Sequence, residues 1–235
     1  HFPAVQNLAA ATLDEVLQHW QGLGYYSRAR NLHKTAQVVC TQYGGNFPEE
    51  RKALEALPGI GRSTAAAILS LSRGQAHAIL DGNVKRVLAR YHAVDGWVDE
   101  PRTLQKLWAY AEQHLPQQRN AAYTQAMMDL GATLCTRGKP RCLLCPLHSD
   151  CLAFQQGNPQ AYPSKRPSET LPEKTTLALL LRNPNGELLL EKRPPNGVWG
   201  GLWSFPEFVD YRALQTWLEQ HGQDTSTMKV LPTLT

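Results

Sequence analysis

Four of the chain's five cysteines fall in one short stretch, CTRGKPRCLLCPLHSDC, as C-x6-C-x2-C-x5-C at Cys135, Cys142, Cys145 and Cys151. Whatever joins four sulfurs fixes the path of the loop between them, so this stretch constrains the fold more than any other. Disulfides suit small secreted chains, whereas 235 residues can bury a core without them. A structural zinc site pairs two short knuckles, and here only Cys142 and Cys145 form one, with His148 as a substitute ligand. An iron-sulfur cube is larger than one ion, and it suits uneven loops around a central C-x-x-C followed by Pro146. Spacing favours the cluster and leaves zinc open. The six residues TRGKPR carry Arg137, Lys139 and Arg141 on a loop that such a site would pin. Pinned, the loop suits a phosphate contact; the ordinary alternative is a solvated loop.

From Leu13 to about Phe154 apolar residues recur at three- and four-residue spacing, as in LDEVLQHW, NVKRVLARYHAV and YTQAMMDLGATLC, which predicts a helical domain over residues 1–155. GNPQAYPSKRPSETLPEK then brings four prolines and little apolar content, an extended linker at 156–174 lying over a surface. Beyond it, TTLALLLRN and ELLLEK flank the turn PNG, and YRALQTWLEQHG reads as an amphipathic helix. Residues 175–235 are therefore a partial α+β domain. The whole is mainly α, with no apolar run near the ~20 residues of a membrane span. A net charge of +4 and a pI near 8.8 are compatible with a nucleic-acid partner. The chain starts at His1 rather than Met and ends in LPTLT after an apparent strand, so an internal fragment is expected.

LEALPGIGRSTAAAIL, residues 54–69, sets a P-G-x-G turn between two helical patterns. Gly59 and Gly61 allow backbone angles that other residues resist. The amides of the turn and of the next helix, including those of Arg62 and Ser63, then form an anion site that a duplex phosphate fits. An ordinary helix-turn-helix corner is the alternative. Twenty residues after Gly61, Asp81 in AILDGNVKRVLARY precedes another helix. It is either a simple N-cap or a carboxylate returned beside the hairpin, where Lys85 and Arg86 also project and where it would stabilise positive charge on a sugar. Spacing leaves both open.

Together LPGIGRSTA, LDGNVKRVLAR and the cysteine loop resemble the helix-hairpin-helix DNA glycosylases, in wording closest to the MutY-type adenine glycosylases. GLGYYSRARNLHK at 22–34 and AMMDLGATLCTRGKPRC at 126–142 resemble the same family. The resemblance implies a helix-hairpin-helix glycosylase domain with a [4Fe-4S] cluster on Cys135, Cys142, Cys145 and Cys151, and a Nudix-like domain after the linker. It implies double-stranded DNA with adenine opposite 8-oxoguanine or guanine as partner. DNA contacts are expected from Gly59, Gly61, Arg62, Ser63, Lys85, Arg137, Lys139 and Arg141, and from Tyr25 and Arg28 in a strand-penetrating segment. Such enzymes turn the target nucleotide out of the stack, and Asp81 matches their catalytic aspartate. It implies a monomer working in a bacterial cytoplasm, on the nucleoid.

Departures from the family pattern shape the expected activity. Relatives such as endonuclease III carry a nucleophilic lysine where this chain has Ser63, so base removal without strand cleavage is expected. The family's general-acid glutamate lies on an early helix this chain lacks, and none of Glu15, Glu49, Glu50 or Glu55 matches it. General acid catalysis contributes about 10²–10⁴ in rate, so the chain alone is expected to be impaired. LEKRPPNGVWGGLWSFPEF resembles the Nudix-like domain, but only Glu219 stands where active Nudix hydrolases place several glutamates. The competing functions are a non-catalytic DNA-binding module and an endonuclease III-like glycosylase/lyase.

Overall fold

The computed structural model describes residues 1–167, 173–195, 197–223, 225–226 and 228–233. Internal contacts divide the chain into two units, residues 1–21 with 28–168 and residues 22–27 with 169–235. Of the linker expected from sequence, 156–167 therefore belongs to the first unit, and 168–172 lies outside the described residues.

The first unit is helical: α1 (Val5–Ala10), α2 (Leu13–His19), α3 (Tyr26–Tyr43), α4 (Arg51–Glu55), α5 (Arg62–Arg73), α6 (Gly82–Tyr91), α7 (Pro101–Gln113), α8 (Asn120–Asp129) and α9 (Leu152–Gln155). Local chemistry sets the boundaries. Thr12 and Glu15 form a reciprocal capping box at the start of α2, which satisfies two otherwise orphaned amides. Pro101 opens α7, where its missing N–H costs nothing, and Gly74 closes α5 at φ 66°, a left-handed cap that glycine adopts without strain. α8 runs on into a π-helical turn, Leu130–Leu134.

Two apolar clusters hold these helices together. Val39, Leu54, Leu57, Ala65 and Leu69 join α3, α4 and α5. Val84, Val87 and Leu88 of α6 meet Leu107 and Ala111 of α7 and Met127 of α8. Each such large side chain contributes about 1.5–3 kcal/mol by burial. A buried hydroxyl pair, Ser70 with Thr124 at 2.8 Å, ties α5 to α8. α6 thus sits at the centre of its unit, with one end toward the hairpin and the other toward the cysteine loop.

In the second unit β1 (Leu177–Ala178), β2 (Glu191–Lys192), β3 (Trp203–Ser204) and β4 (Glu207–Phe208) form two antiparallel pairs, β1 with β4 and β2 with β3. The PNG turn closes as expected, with Gly186 N donating to Asn183 O at 2.9 Å and Leu189 N to Leu181 O at 2.9 Å. α10 (Tyr211–Gln220) is capped by Asp210, which accepts from Ala213 N at 2.8 Å. It buries Leu214 and Leu218 against Leu179.

Candidate nucleic-acid interface and cysteine site

The turn between α4 and α5 is held from beneath by α3. Thr35 Oγ1 donates to Pro58 O at 2.8 Å, and a Cβ on Gly59, at φ 75°, would stand 2.7 Å from the Asn31 side chain. Only glycine meets both demands. Gly61 is the N-cap of α5 and has no side chain to cap it. The first amides of α5 are consequently left facing out beside exposed Gly59 and Gly61, with the positive end of the helix dipole behind them.

Ser63 and Asp81 are linked through the backbone between them. Ser63 Oγ accepts from Leu80 N at 2.9 Å, so the segment entering α6 is fastened to the first turn of α5. Asp81 follows as the N-cap of α6, with Oδ1 accepting from Val84 N at 2.8 Å. The cap occupies one carboxylate oxygen, and Oδ2 has no hydrogen-bond partner among the described residues. Capping and chemistry are therefore compatible in one residue. The π-turn packs against the same place: a Cβ on Gly131 would lie 2.6 Å from Asn83 Cβ and 3.1 Å from its backbone.

The candidate DNA contacts differ in how free they are. Arg62 lies over the Trp108 ring at 3.7 Å and pairs with Glu112. Lys85 is paired with Asp99, and Arg141 Nη2 donates to Thr133 O at 2.7 Å. Arg137 and Lys139 are exposed on a loop closed by Thr136 Oγ1 donating to Lys139 O at 2.8 Å. Arg28 lies 5.5 Å from the Trp20 ring. Tyr25 is 81% exposed at φ 47°, a left-handed backbone that costs a bulky residue energy and signals an enforced tip.

None of the five cysteines is in a disulfide. Cys135 ends the π-turn, Cys142 and Cys145 bracket a 3₁₀ turn, and Cys151 is the N-cap of α9. All four line one cavity whose walls include Val87, Leu130, Leu134 and Phe154. Among the described residues no three His, Cys, Asp or Glu side chains are spaced to hold a metal ion. Burial raises the Cys142 thiol above its ordinary value, and the Cys135 and Cys151 sulfurs add to it. Burial likewise raises Cys151, partly offset by the amide of Phe154. His148 Nδ1 stands 2.8 Å from Cys145 O, so its ring braces the loop.

Sequence reasoning noted Arg86 only in passing and missed Arg90. Arg86 Nε donates to Cys135 O at 2.7 Å, and its Nη2 to Gly131 O at 2.6 Å and Asn83 Oδ1 at 2.9 Å. Arg90 is 2% exposed and donates to the same loop. The sequence held little signal for Arg90: the apolar stripe of Val84, Val87 and Leu88 continues onto Tyr91, and Arg90 stands on its flank.

Residues 1–113 match the HhH-GPD superfamily of base excision DNA repair proteins. A thermostable thymine-DNA glycosylase structure aligns at 30% identity and TM-score 0.58, over 65% of this chain and 70% of that one. The chain belongs to the HhH-GPD superfamily. Residues 177–234 match the NUDIX domain family, so a mainly helical HhH-GPD unit is followed by a Nudix-like part. An endonuclease III–DNA complex resembles the HhH-GPD unit at 25% identity and TM-score 0.57, over 66% of this chain and 72% of that one. Among curated relatives, the adenine DNA glycosylase of Buchnera aphidicola subsp. Acyrthosiphon pisum (strain APS) is 40% identical over 97% of this chain and 65% of its own length. That of Homo sapiens is 35% identical over 87% of this chain and 46% of its own length. The chain thus spans less than two thirds of these relatives. No helix among the described residues is long and apolar enough to cross a membrane.

Proposed function

We propose that this chain is the base-releasing part of an adenine DNA glycosylase that excises adenine opposite 8-oxoguanine or guanine, without cutting the strand. The observation that carries the reading is the Ser63 Oγ–Leu80 N bond. It sets a carboxylate, Asp81, against an open helix N-terminus at the position where a lyase of this superfamily would carry an amine.

In this reading the phosphates flanking the target nucleotide sit on the outward amides of the 59–63 turn, and Arg137 and Lys139 hold the backbone further along. The target base leaves the stack, because its bond to the sugar is out of reach inside the duplex. As the bond breaks, positive charge grows on the sugar. Asp81 Oδ2 offsets that charge, while Oδ1 stays bound to Val84 N and keeps the carboxylate from turning away. Water completes the hydrolysis. With Ser63 in place of an amine, no Schiff base forms on this helix, and the abasic strand stays intact. Protonation of the departing adenine falls to a glutamate matched by no residue here: Glu15 is used in the α2 cap, Glu49 pairs with Arg73, and Glu55 pairs with Arg51.

The cysteine site suits a [4Fe-4S] cluster held by Cys135, Cys142, Cys145 and Cys151. The donors are four soft sulfurs, they line one apolar cavity, and soft thiolates in this uneven spacing suit such a cluster. When bound, the cluster supplies a rigid anchor for the 136–141 loop. The Nudix-like part serves recognition of the base opposite.

The testing experiment is a single-turnover assay with the full-length protein on duplex containing adenine opposite 8-oxoguanine, read with and without alkali. Strand breaks only after alkali support the reading. Breaks without alkali point to a lyase, and none under either condition to binding without catalysis.

A further inference from the structure

Arg90 is the only buried Lys, Arg, Asp or Glu among the described residues. Burying a guanidinium costs several kcal/mol unless its donors are satisfied. Here no carboxylate pairs with it among the described residues. Its Nη1 donates to Thr136 O at 2.8 Å and reaches Cys135 Sγ at 3.3 Å, and its Nη2 donates to Arg137 O at 3.2 Å. Its own carbonyl accepts from Cys151 Sγ at 3.5 Å. One residue thus touches the first and last cysteines of the site and two carbonyls of the loop between the first pair.

The third nitrogen points elsewhere. Arg90 Nε donates to Tyr162 O at 2.9 Å, at the start of the segment YPSKR near the end of the helical unit. Beyond Tyr162 the segment is held through contacts at the surface. Ser164 Oγ accepts from Gly96 N at 3.3 Å, and the Arg166 guanidinium lies 5.2 Å from the Trp97 ring. Ser164, Lys165 and Arg166 are all exposed. A strip whose side chains are exposed opens more easily than the core, and Tyr162 at its start is anchored by a buried side chain that is itself bonded to the cysteine loop.

We propose that Arg90 latches residues 162–166 to the cysteine loop, so that this strap is seated only while the loop is closed around its four sulfurs. The proposal rests on reading those sulfurs as cluster ligands. If the loop opens, Nη1 and Nη2 lose three acceptors together, the buried charge is left unpaired, and the side chain leaves for solvent. Tyr162 O then loses its donor. Cluster occupancy and strap seating are two readings of one two-state element.

The test is trypsin cleavage of the Lys165–Arg166 bond in the full-length protein, followed beside iron content and visible absorbance. Cleavage reports the open population of a segment that closes quickly. Oxidative removal of the cluster is expected to raise cleavage of the wild type about tenfold or more, the worth of a charge-assisted hydrogen bond. Arg90→Gln is expected to raise it similarly with the cluster in place, and cluster removal should then add little. Equal, additive effects of the two would overturn the latch. If Arg90→Gln fails to fold or loses its cluster, the paired change Ser164→Ala and Arg166→Gln decides. It should raise cleavage with absorbance unchanged and shrink the effect of cluster removal; an undiminished effect overturns the proposal. A colourless protein without iron sinks the cluster reading separately. The latch is then judged on Arg90→Gln alone, and unchanged cleavage overturns it.

Discussion

Replacing Gly131 with Ala is the sharpest structural probe of how the Asp81 loop is held. Gly131 lies in the π-turn after α8, without the positive φ that only glycine tolerates. On backbone grounds alone, alanine in a helical turn stabilises by about 0.4–1 kcal/mol. Its Cβ, however, would stand 2.6 Å from Asn83 Cβ and 3.1 Å from Asn83 Cα, and backbone cannot move aside as a flexible side-chain tip can. Overpacking of this kind costs about 1–3 kcal/mol, so a net loss of about 1–2 kcal/mol is expected. For a unit of this size that lowers Tm by about 2–8 °C. Asn83 is two residues from Asp81, and Gly131 O also accepts from Arg86. A displacement of a few tenths of an ångström there should slow base release several-fold, given that 1 Å misplacement costs on the order of 10². Thermal unfolding and single-turnover adenine release are measured together, with Gly138→Ala, whose Cβ meets nothing within 4 Å, as the control for unfolding. A Gly131→Ala protein as stable as wild type and as fast would refute the close contact and the reasoning built on it.

Ser63→Ala removes the acceptor of the buried Leu80 amide and should cost about 1–3 kcal/mol in urea unfolding; no loss would mean that the Asp81 loop is held in another way. Lys139→Ala should weaken duplex binding for every sequence and reduce the salt slope by about 1. Arg62→Ala, already spent on Trp108 and Glu112, should leave the slope nearly unchanged, and equal slopes for the two variants would contradict this division. His92, whose Nε2 lies 2.8 Å from that of His114, is held below its ordinary value of 6.5 by burial and then by His114. The unfolded imidazole therefore takes up a proton that the folded one resists. The contribution of His92 to stability is full above about pH 6.5 and declines as pH falls below it. His92→Gln should flatten that part of the stability curve, and an unchanged curve counts against the assignment.

What the sequence made legible was set by local chemistry. The P-G-x-G turn, the return of Asp81 after twenty residues and the helical spacing of α6 are all written in consecutive residues, because capping, glycine conformation and amphipathic period are short-range effects. The cysteine spacing announced a site but not its walls. Arg62 and Lys85 were expected as DNA contacts, and the partners the fold gives them, Trp108, Glu112 and Asp99, lie 14 to 50 residues away. Such pairings depend on how helices pack, which no local pattern encodes. Arg90 was hidden for the same reason: its acceptors lie 45 to 72 residues on. The linker composition announced an extended run over a surface, and only the fold reveals which surface its first half lies on.

The most direct test of the account concerns Asp81. In the full-length protein, adenine release and duplex affinity are measured in parallel for wild type and Asp81→Asn. Asparagine keeps an Oδ1 acceptor for Val84 N and so keeps the cap, but it carries no charge to set against the sugar. Release slowed on the order of 10²–10³-fold or more, with affinity nearly unchanged, is the predicted result. Release at the wild-type rate would reduce Asp81 to a helix cap and contradict the proposed chemistry.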